Sequence, residues 1–317
     1  MIPPAFDYHR ASSVGDALDR LETHADDDPV VLAGGHGLLP DAKTGAASFG
    51  VAIDIGEIDR LRGVEDGTGE RERADDDGST AVGALTTHAT LAESAAVRRA
   101  APALTEAAAE VGDVQVRNRG TVGGNLVEAD PAADLPAAAV AADATLVLEG
   151  RDGEREVSAE AFFQEDGGTD LGDRELLTEI RLPDAEADAT EAGGTAEATG
   201  GAYAKKTHPA TGYALVGVAA SLSLADGTVT DARLAATGVA DAPVGLTAVE
   251  DALVGREPDA DALAEAAERA GAGLDPEDAR SDVAASGEFR LHLLEVYAER
   301  ALADAAASAA EREGVDR

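Results

Sequence analysis

Two glycine-rich segments constrain this chain more than any other feature. Residues 31–40 read VLAGGHGLLP, and residues 117–126 read RNRGTVGGNL. Glycine leaves the backbone uncovered, so that its N–H groups can approach a ligand closely. Amides oriented in this way stabilise the oxygens of a diphosphate without a cation. The segments therefore favour a pair of diphosphate-binding loops, although each one taken singly is also typical of a tight turn.

Neither segment matches a common phosphate-binding fingerprint. A Walker loop would continue into Gly-Lys-Ser or Gly-Lys-Thr, and neither segment does so. The Gly-x-Gly-x-x-Gly dinucleotide motif would begin at Gly35 and Gly37 but would need a third glycine where Pro40 stands. The chain also has only three lysines. A cationic phosphate cradle is therefore not expected, and backbone amides must carry most of the binding.

Composition sets further limits. A length of 317 residues suggests two domains with a substantial core. Aromatic residues make up only 3% of the chain, so alanine and valine are expected to fill much of the interior. The absence of cysteine excludes disulfides, iron–sulfur ligation and thiol catalysis by this chain. Neither a signal peptide nor an apolar run of about 18 residues is evident, which predicts a cytoplasmic protein without a membrane span.

The acidic excess is large, with 63 acidic against 25 basic side chains and a formal net charge of −38. Disorder is one explanation for such a charge, but regular apolar periodicities between the acidic runs argue against it. Adaptation to high salt is the other, because molar salt shortens the Debye length to about 3 Å and screens self-repulsion. We therefore expect a halophile protein whose partners include neither nucleic acid nor an anionic membrane.

Apolar spacing and turn residues predict the elements of the first part of the chain. These are a helix at 14–24 with Ser13 as N-cap, strands at 29–33, 49–55 and 80–85, helical sequence at 91–111 broken at Pro102, a helix at 136–142, a hairpin of 144–149 and 155–157, and a strand at 176–182. Residues 65–79 are polar and predict an exposed hairpin tip.

The second part follows a stretch at 184–201 that is rich in Gly, Ala, Thr and Glu and predicts a linker or an acidic insertion. Beyond it the predicted elements are strands at 203–206, 214–224 and 233–239, with a turn at Asp226-Gly227, and helices at 246–254, 260–271 and 288–312. Strands followed by helices predict a separate α+β domain.

The glycine segments, followed by ADPAADLP at 129–136, resemble the two FAD-binding segments of one family. This is the medium, flavoprotein subunit of molybdenum hydroxylases, the family of aerobic carbon monoxide dehydrogenase and xanthine dehydrogenase. Further similarity lies at residues 1–8, 82–91, 112–120, 208–219, 286–293 and 300–302. The resemblance therefore covers almost the whole chain.

The resemblance implies an α+β fold with two domains. The first, residues 1–183, is a two-lobed FAD-binding domain of the PCMH (vanillyl-alcohol-oxidase-like) type, with lobes at about 1–56 and 57–183. The acidic linker or insertion at 184–201 follows. Residues 202–305 are the small α+β C-terminal domain of the CO dehydrogenase flavoprotein type, and 306–317 form a polar tail.

The resemblance also implies a set of residues that bind FAD non-covalently. They are Leu32, Ala33, Gly34, Gly35, His36, Gly37, Leu38, Leu39, Thr121, Gly123, Gly124, Asn125, Asp134, Leu177, Tyr203 and Lys205. Residues 32–39 would wrap the diphosphate and the ribityl chain, with the Gly34 and Gly35 amides as main donors. Residues 121–125 would make the second contact through the Thr121 hydroxyl, the two glycine amides and the Asn125 side chain. The family commonly has serine where Gly37 stands, so one hydroxyl contact to phosphate is absent.

Several of these residues have alternative roles. His36 could instead pack or hydrogen-bond at the loop. Asp134 would accept from ribose or ribityl hydroxyls, but it could also cap the helix that begins beside it. Arg117 and Arg119 could neutralise phosphate or pair with carboxylates, and they stay outside the set.

Three residues are implied near the flavin ring. Leu177 and Lys205 match positions that approach the ring, and a lysine there would stabilise the anionic reduced flavin. Lys206 is the rival for that role. Tyr203 would cover one face of the isoalloxazine or pack in the core.

The function that the resemblance implies is electron transfer in a molybdenum-containing hydroxylase. A small partner subunit would hold [2Fe–2S] clusters, a large one the molybdenum cofactor, and this chain would pass electrons through FAD to quinone, NAD or another acceptor. The expected assembly is a dimer of heterotrimers. The chain itself needs no catalytic acid, base or metal ligand. The wording HPATGY at 208–213 favours the carbon monoxide dehydrogenase branch.

Alternatives remain open at this point. One is the xanthine or aldehyde dehydrogenase branch of the same family. Another is a stand-alone PCMH-type flavin oxidase or reductase, which would need a proton donor of its own that the C-terminal domain does not offer. A scaffold that has lost FAD is the third, and the intact glycines of both segments argue against it.

Overall fold

The computed structural model of the chain describes residues 2–66, 79–183 and 198–315. The strands are β1 (Asp7–Arg10), β2 (Pro29–Leu32), β3 (Val51–Asp54), β4 (Val64–Glu65), β5 (Thr80–Gly83), β6 (Thr145–Gly150), β7 (Gly153–Ser158), β8 (Leu176–Leu182), β9 (Ala198–Thr207), β10 (Ala214–Ala225), β11 (Thr228–Thr237) and β12 (Val244–Gly245). The α-helices are α1 (Val14–Thr23), α2 (Leu38–Thr44), α3 (His88–Glu93), α4 (Ala95–Ala100), α5 (Pro102–Glu110), α6 (Val114–Arg117), α7 (Val122–Glu128), α8 (Leu135–Ala141), α9 (Ala159–Phe162), α10 (Thr247–Leu253), α11 (Ala260–Ala267) and α12 (Gly287–Val315). The predicted α+β class is confirmed.

The N-terminal lobe is a three-stranded parallel sheet in the order β1-β3-β2. The apolar face of α1 packs with Val51 and Ile53 of the central strand in one buried cluster. Ser13 begins α1 as predicted, because its side chain accepts a hydrogen bond from the Asp16 amide. The carboxyl end of β2 leads directly into the first glycine segment.

The second lobe is a five-stranded sheet in the order β4-β5-β8-β6-β7, with antiparallel neighbours throughout. Helices α3–α5, α7 and α8 supply an alanine- and leucine-rich core against it. Pro102 stands in the first turn of α5, so the predicted break is confirmed. Most of the predicted hairpin tip, residues 67–78, lies outside the described residues.

The C-terminal domain is an antiparallel sheet in the order β12-β11-β10-β9, packed against α10–α12 around a second core. Residues 198–201 belong to β9, so the prediction that they form part of a linker is wrong; residues 184–197 lie outside the described part of the chain. The linker prediction failed because of Gly200, which lies against α12. An added Cβ at Gly200 would overlap the α12 backbone at Ala305 and Ala309. Glycine here permits close strand–helix packing, whereas in the sequence it resembles a loop residue.

The connection between α7 and α8 attaches the two domains. The Ala214 amide donates to the Ala132 carbonyl at 3.2 Å, and the Gly238 amide donates to the Pro131 carbonyl at 2.8 Å. The Thr237 hydroxyl donates to the same Pro131 carbonyl at 2.9 Å. Residues 131–134 are thus fixed against the C-terminal sheet. None of the helices in the described ranges combines the length and apolar character needed to cross a membrane.

Candidate cofactor site

A cavity of about 720 Å³ lies where the two lobes meet a turn of the C-terminal domain. Both glycine segments contribute to its wall. The predicted residues that line it are Leu32, Ala33, Gly34, Gly35, His36, Gly37, Leu38, Thr121, Gly123, Gly124, Asn125, Asp134 and Leu177. Leu39, Tyr203 and Lys205 are not among the lining residues. The structure therefore brings most of the predicted set to one cavity.

The two glycine segments touch through their backbones. A Cβ at Gly34 would overlap the Arg119 carbonyl oxygen and would lie 3.0 Å from the Gly120 Cα. Gly35 has a φ of +74°, in the left-handed region that favours glycine. The amides of Gly34, Gly35 and His36 donate to no acceptor among the described residues. The first segment therefore presents free N–H groups to the cavity.

Two of the donors predicted in the second segment are engaged within the protein. The Gly123 amide donates to the Ala84 carbonyl at 2.9 Å, and the Gly124 amide donates to the Thr121 hydroxyl at 3.2 Å. The prediction that these two amides face a ligand is therefore corrected, because both donate hydrogen bonds within the protein. Gly123 is needed for close packing, since an added Cβ would lie 2.6 Å from the Ala84 Cβ. The segment forms a rigid wall.

Gly37 accommodates an acidic side chain. A Cβ at this position would overlap the carboxylate of Glu128, which ends α7 and also lines the cavity. Burial raises the pKa of Glu128, and the neighbouring Asp130 and Asp41 raise it further. Glycine at position 37, where the family commonly has serine, therefore also leaves space for the Glu128 carboxylate.

Two residues of β9 donate hydrogen bonds to the Asp134 carboxylate. The Tyr203 hydroxyl donates to its Oδ1 at 2.6 Å, and the Lys205 Nζ donates to its Oδ2 at 3.0 Å. Lys205 Nζ also donates to the carbonyl oxygens of Glu110 and Gly212, at 2.8 and 3.1 Å. The Lys205 and Asp134 side chains are 2% and 5% exposed. Burial raises the pKa of Asp134 to about 6, while Lys205 and Tyr203 act in the opposite direction.

This arrangement bears on three predicted roles, and it gives Tyr203 the second of the two roles expected for it, packing in the core. Tyr203 lies in the core. It does not line the cavity, so it does not cover a flavin ring there. The charge of Lys205 is compensated by Asp134, so it is not a free cation for a reduced flavin. Asp134 stands at the N-cap position of α8, but its side chain makes no capping hydrogen bond. Its carboxylate is instead positioned at the cavity wall by the C-terminal domain.

Two buried polar atoms in the wall have no hydrogen-bond partner among the described residues. They are Asn125 Oδ1 and His88 Nδ1. Buried polar atoms in proteins almost always have a hydrogen-bond partner. Two such atoms without a partner in the wall of one cavity therefore point to a polar ligand. Free amides and a bare glycine backbone fit a phosphorylated ligand in the same place. The described ranges contain no group of three His, Cys, Asp or Glu side chains that could hold a metal ion.

Comparison with known proteins agrees with this geometry. Residues 4–185 match the model of the FAD binding domain in molybdopterin dehydrogenase. Residues 201–305 match the model of the CO dehydrogenase flavoprotein C-terminal domain. The chain belongs to the molybdopterin dehydrogenase FAD-binding family. It is thus a subunit of an oxidoreductase.

Relatives of this flavoprotein family cover most of the chain. The carbon monoxide dehydrogenase medium chain of Hydrogenophaga pseudoflava is 39% identical over 75% of this chain and 76% of its own. The glyceraldehyde dehydrogenase medium chain of Sulfolobus acidocaldarius is 33% identical over 74% of this chain and 76% of its own. A solved carbon monoxide dehydrogenase of Hydrogenophaga pseudoflava matches with a TM-score of 0.85 and 36% identity, over 98% of this chain and 100% of that one.

Sequence reasoning about this flavoprotein subunit missed many residues of the cavity wall, and two of them carry side chains suited to a ligand. Tyr213 is 44% exposed and lines the cavity beside Thr211 and Gly212. Burial and the nearby Asp130 raise its pKa to about 12, so it stays a neutral phenol. An aromatic directly after a glycine in the 208–213 segment was the available signal. The other residue is His88, which is buried and gives no signal in the sequence beyond its polarity.

Proposed function

We propose that the cavity binds FAD non-covalently and that the chain is the electron-transfer subunit of a molybdenum hydroxylase of the carbon monoxide dehydrogenase-like branch. The observation that carries the proposal is the backbone contact of the two glycine segments, beside which three amides find no acceptor within the described parts of the chain. A diphosphate supplies the acceptors that these amides lack. The family match over residues 4–185 supports the same ligand.

Different residues of the cavity wall bind different parts of FAD. The amides of residues 34–36 hold the diphosphate, and the Thr121 hydroxyl and Asn125 side chain add polar contacts. Asp134, kept in place by Lys205 and Tyr203, accepts from hydroxyl groups of the cofactor. Leu177 and Tyr213 provide apolar and aromatic surface for the flavin. When bound, FAD supplies the redox chemistry that links one-electron donors to a two-electron acceptor.

The proposed partners follow from what this chain lacks. It has no cysteine, so iron–sulfur clusters must come from a small [2Fe–2S] subunit, and substrate oxidation from a large molybdopterin-binding subunit. We propose a dimer of such heterotrimers, with electrons leaving to quinone, NAD or another acceptor. The domain limits expected from the sequence, at 183 and 202, form part of this proposal.

The proposed setting is the cytoplasm of a halophile. The formal charge of −38 supports it, because so dense a negative charge is compatible with a folded chain when salt screens it. The small number of lysines and the alanine-rich core support the same setting.

The proposal is tested with the purified chain in molar KCl. We expect a yellow protein with one FAD per chain, released into the supernatant by acid. Alone, it should oxidise neither carbon monoxide, purines nor aldehydes; with a cluster-bearing small subunit, its flavin should be reduced through the clusters. A colourless chain that takes up no FAD would refute the binding site. Substrate oxidation by the chain alone would instead favour a stand-alone flavoenzyme.

A further inference from the structure

His88 is a polar residue of the cavity wall that the proposed function leaves unused. It is the first residue of α3, is 3% exposed and lines the cavity. Its Nδ1 atom is buried, with no hydrogen-bond partner in the described parts of the chain. The other ring nitrogen, Nε2, likewise makes no hydrogen bond to a described residue. Both ring nitrogens of this buried histidine thus lack a protein partner, which is unusual for buried polar atoms.

The ring lies beside the junction of the two glycine segments. The His88 amide donates to the Gly120 carbonyl at 3.1 Å, which fixes the backbone of α3 to the second segment. A Cβ at Gly120 would lie 2.8 Å from both Nε2 and Cδ2 of His88, so this edge of the ring covers the glycine. Gly120 in turn touches Gly34. Nε2 therefore lies against Gly120, the residue of the second segment that Gly34 also contacts.

The imidazole is neutral in this environment. Burial, together with the nearby His36 and Arg117, lowers the pKa of His88 to about 4. A neutral imidazole carries one N–H. Placing it on Nδ1 would bury a donor without an acceptor, whereas placing it on Nε2 puts the donor on the edge that lies beside the glycine junction. The favoured tautomer therefore has its proton on Nε2.

We propose that His88 donates a hydrogen bond from Nε2 to a diphosphate oxygen of the bound cofactor. The inference rests on the proposed function, since it assigns a residue of the FAD site. A neutral donor suits this chain, because three lysines cannot surround a phosphate and a buried cation would itself be costly. His88 would thus complete the anion-binding set begun by the amides of residues 34–36.

Three variants of the full-length chain, freed of flavin and kept in molar KCl, test the proposal. His88→Phe keeps a flat ring without a donor, and His88→Gln keeps a neutral N–H at a similar reach. His24→Phe is the matched control, because His24 lies outside the cavity wall. Fluorescence titration gives the Kd for FAD. We expect His88→Phe to weaken binding by on the order of tenfold or more, His88→Gln by less than about threefold, and His24→Phe not at all.

The pH profile separates a neutral donor from a charged one. The ratio of the His88→Phe Kd to the wild-type Kd should stay constant between about pH 6 and 8. A ratio that grows as the pH falls would show an imidazolium and overturn the proposal. Equal losses of FAD affinity in His88→Gln and His88→Phe would show a packing role and overturn the proposal. An unchanged Kd for FAD in His88→Phe would also overturn it.

A second variant decides the matter if His88→Phe does not fold. Gly120→Ala adds a Cβ next to Nε2 and should displace the ring, so that the FAD Kd rises as in His88→Phe while the thermal midpoint stays within a few degrees of wild type. Unchanged FAD binding in Gly120→Ala would overturn the proposal. If the wild-type chain itself takes up no FAD, the proposed function fails and this assignment fails with it.

Discussion

Gly34 shows how a missing side chain shapes the cavity. Its neighbours are backbone atoms of Arg119 and Gly120, which have little freedom to move aside. A methyl group there would separate the two segments, and the free amides of residues 34–36 would lose their alignment. Gly124, by contrast, has only side-chain atoms near its missing Cβ, the Thr121 hydroxyl at 2.8 Å and the Ala33 Cβ at 3.9 Å. Gly34 is therefore the sharper position for a test.

We expect Gly34→Ala to weaken FAD binding by on the order of tenfold or more, because the added Cβ overlaps the Arg119 carbonyl. The measurement is the flavin-to-protein absorbance ratio of the purified chain, followed by FAD titration. Gly245→Ala is the matched control, since an added Cβ there meets nothing within 4 Å. Retention of FAD in Gly34→Ala equal to that of the control would disprove the assigned contact.

The buried pair of Lys205 and Asp134 gives a second prediction for single residues. Lys205→Met leaves the Asp134 carboxylate without its cation, which should lower the free energy of unfolding by about 3 kcal/mol or more. Asp134→Asn should have a cost of similar size, and the double variant should lose less than the sum of the two. Chemical denaturation in molar KCl measures all three.

The pH dependence of Lys205→Met has a defined sign. Burial already raises the pKa of Asp134 to about 6, and loss of Lys205 raises it further. A carboxyl whose folded pKa lies above its unfolded pKa contributes stability at low pH that is lost as the pH rises through the folded value. Lys205→Met should therefore cost more stability at neutral pH than at about pH 5. A cost that is independent of pH would contradict this.

Helices α2 and α7 meet at the cavity through Gly37 and Glu128. The Glu128 carboxylate occupies the place of a side chain at position 37, so the two residues depend on each other. A change in one helix is therefore tolerated only with a matching change in the other. This coupling is a property of the contact between two elements and not of either residue.

Gly37→Ser should displace Glu128 and weaken FAD binding, whereas Gly37→Ser combined with Glu128→Ala should restore it. The reason is that the double variant removes the carboxylate that the serine would meet. FAD titration of the two variants and of Glu128→Ala alone completes the cycle. Equal weakening in the single Gly37→Ser variant and the double variant would show that the two positions are independent.

Elements with a clear apolar period could be predicted from the sequence, but contacts between distant elements could not. The helix at 14–24 and the hairpin of β6 and β7 are examples of the first kind. β1 has mostly exposed positions and carries little apolar pattern, so only its pairing with β3 identifies it. The first residues of β9 resemble a linker, because the helix residues that require Gly200, Ala305 and Ala309, lie over a hundred positions away in the chain.

The candidate site divides in the same way. Glycines 34 and 35 could be assigned to the cavity from the local motif. The role of Lys205 could not, since its burial depends on Asp134, 71 positions away. The engagement of the Gly123 amide by Ala84 likewise depends on the pairing of distant segments. The role of His88 likewise depends on the folded chain, which buries its ring in the cavity wall without a partner for Nδ1 among the described residues.

The charge of the whole molecule sets the conditions under which these contacts hold. Most of the ion pairs among the described residues join side chains that are substantially exposed, such as Arg60 with Glu154 and Arg151 with Glu22. Exposed pairs contribute little to stability. The excess of 63 acidic over 25 basic side chains therefore leaves a net repulsion that the pairs do not offset. Screening by salt is the remaining means of reducing it.

The folded chain should consequently need salt. Lowering KCl from about 3 M to 0.1 M lengthens the Debye length to about 10 Å, so repulsion acts between neighbouring carboxylates across the surface. We expect the thermal midpoint to fall by on the order of 10 °C or more and bound flavin to be released. Sucrose provides the control, because it favours the compact state through exclusion from the surface without screening charge. A midpoint that does not move with KCl, or that sucrose restores as fully as KCl does, would show that charge repulsion is not what limits the stability of this chain.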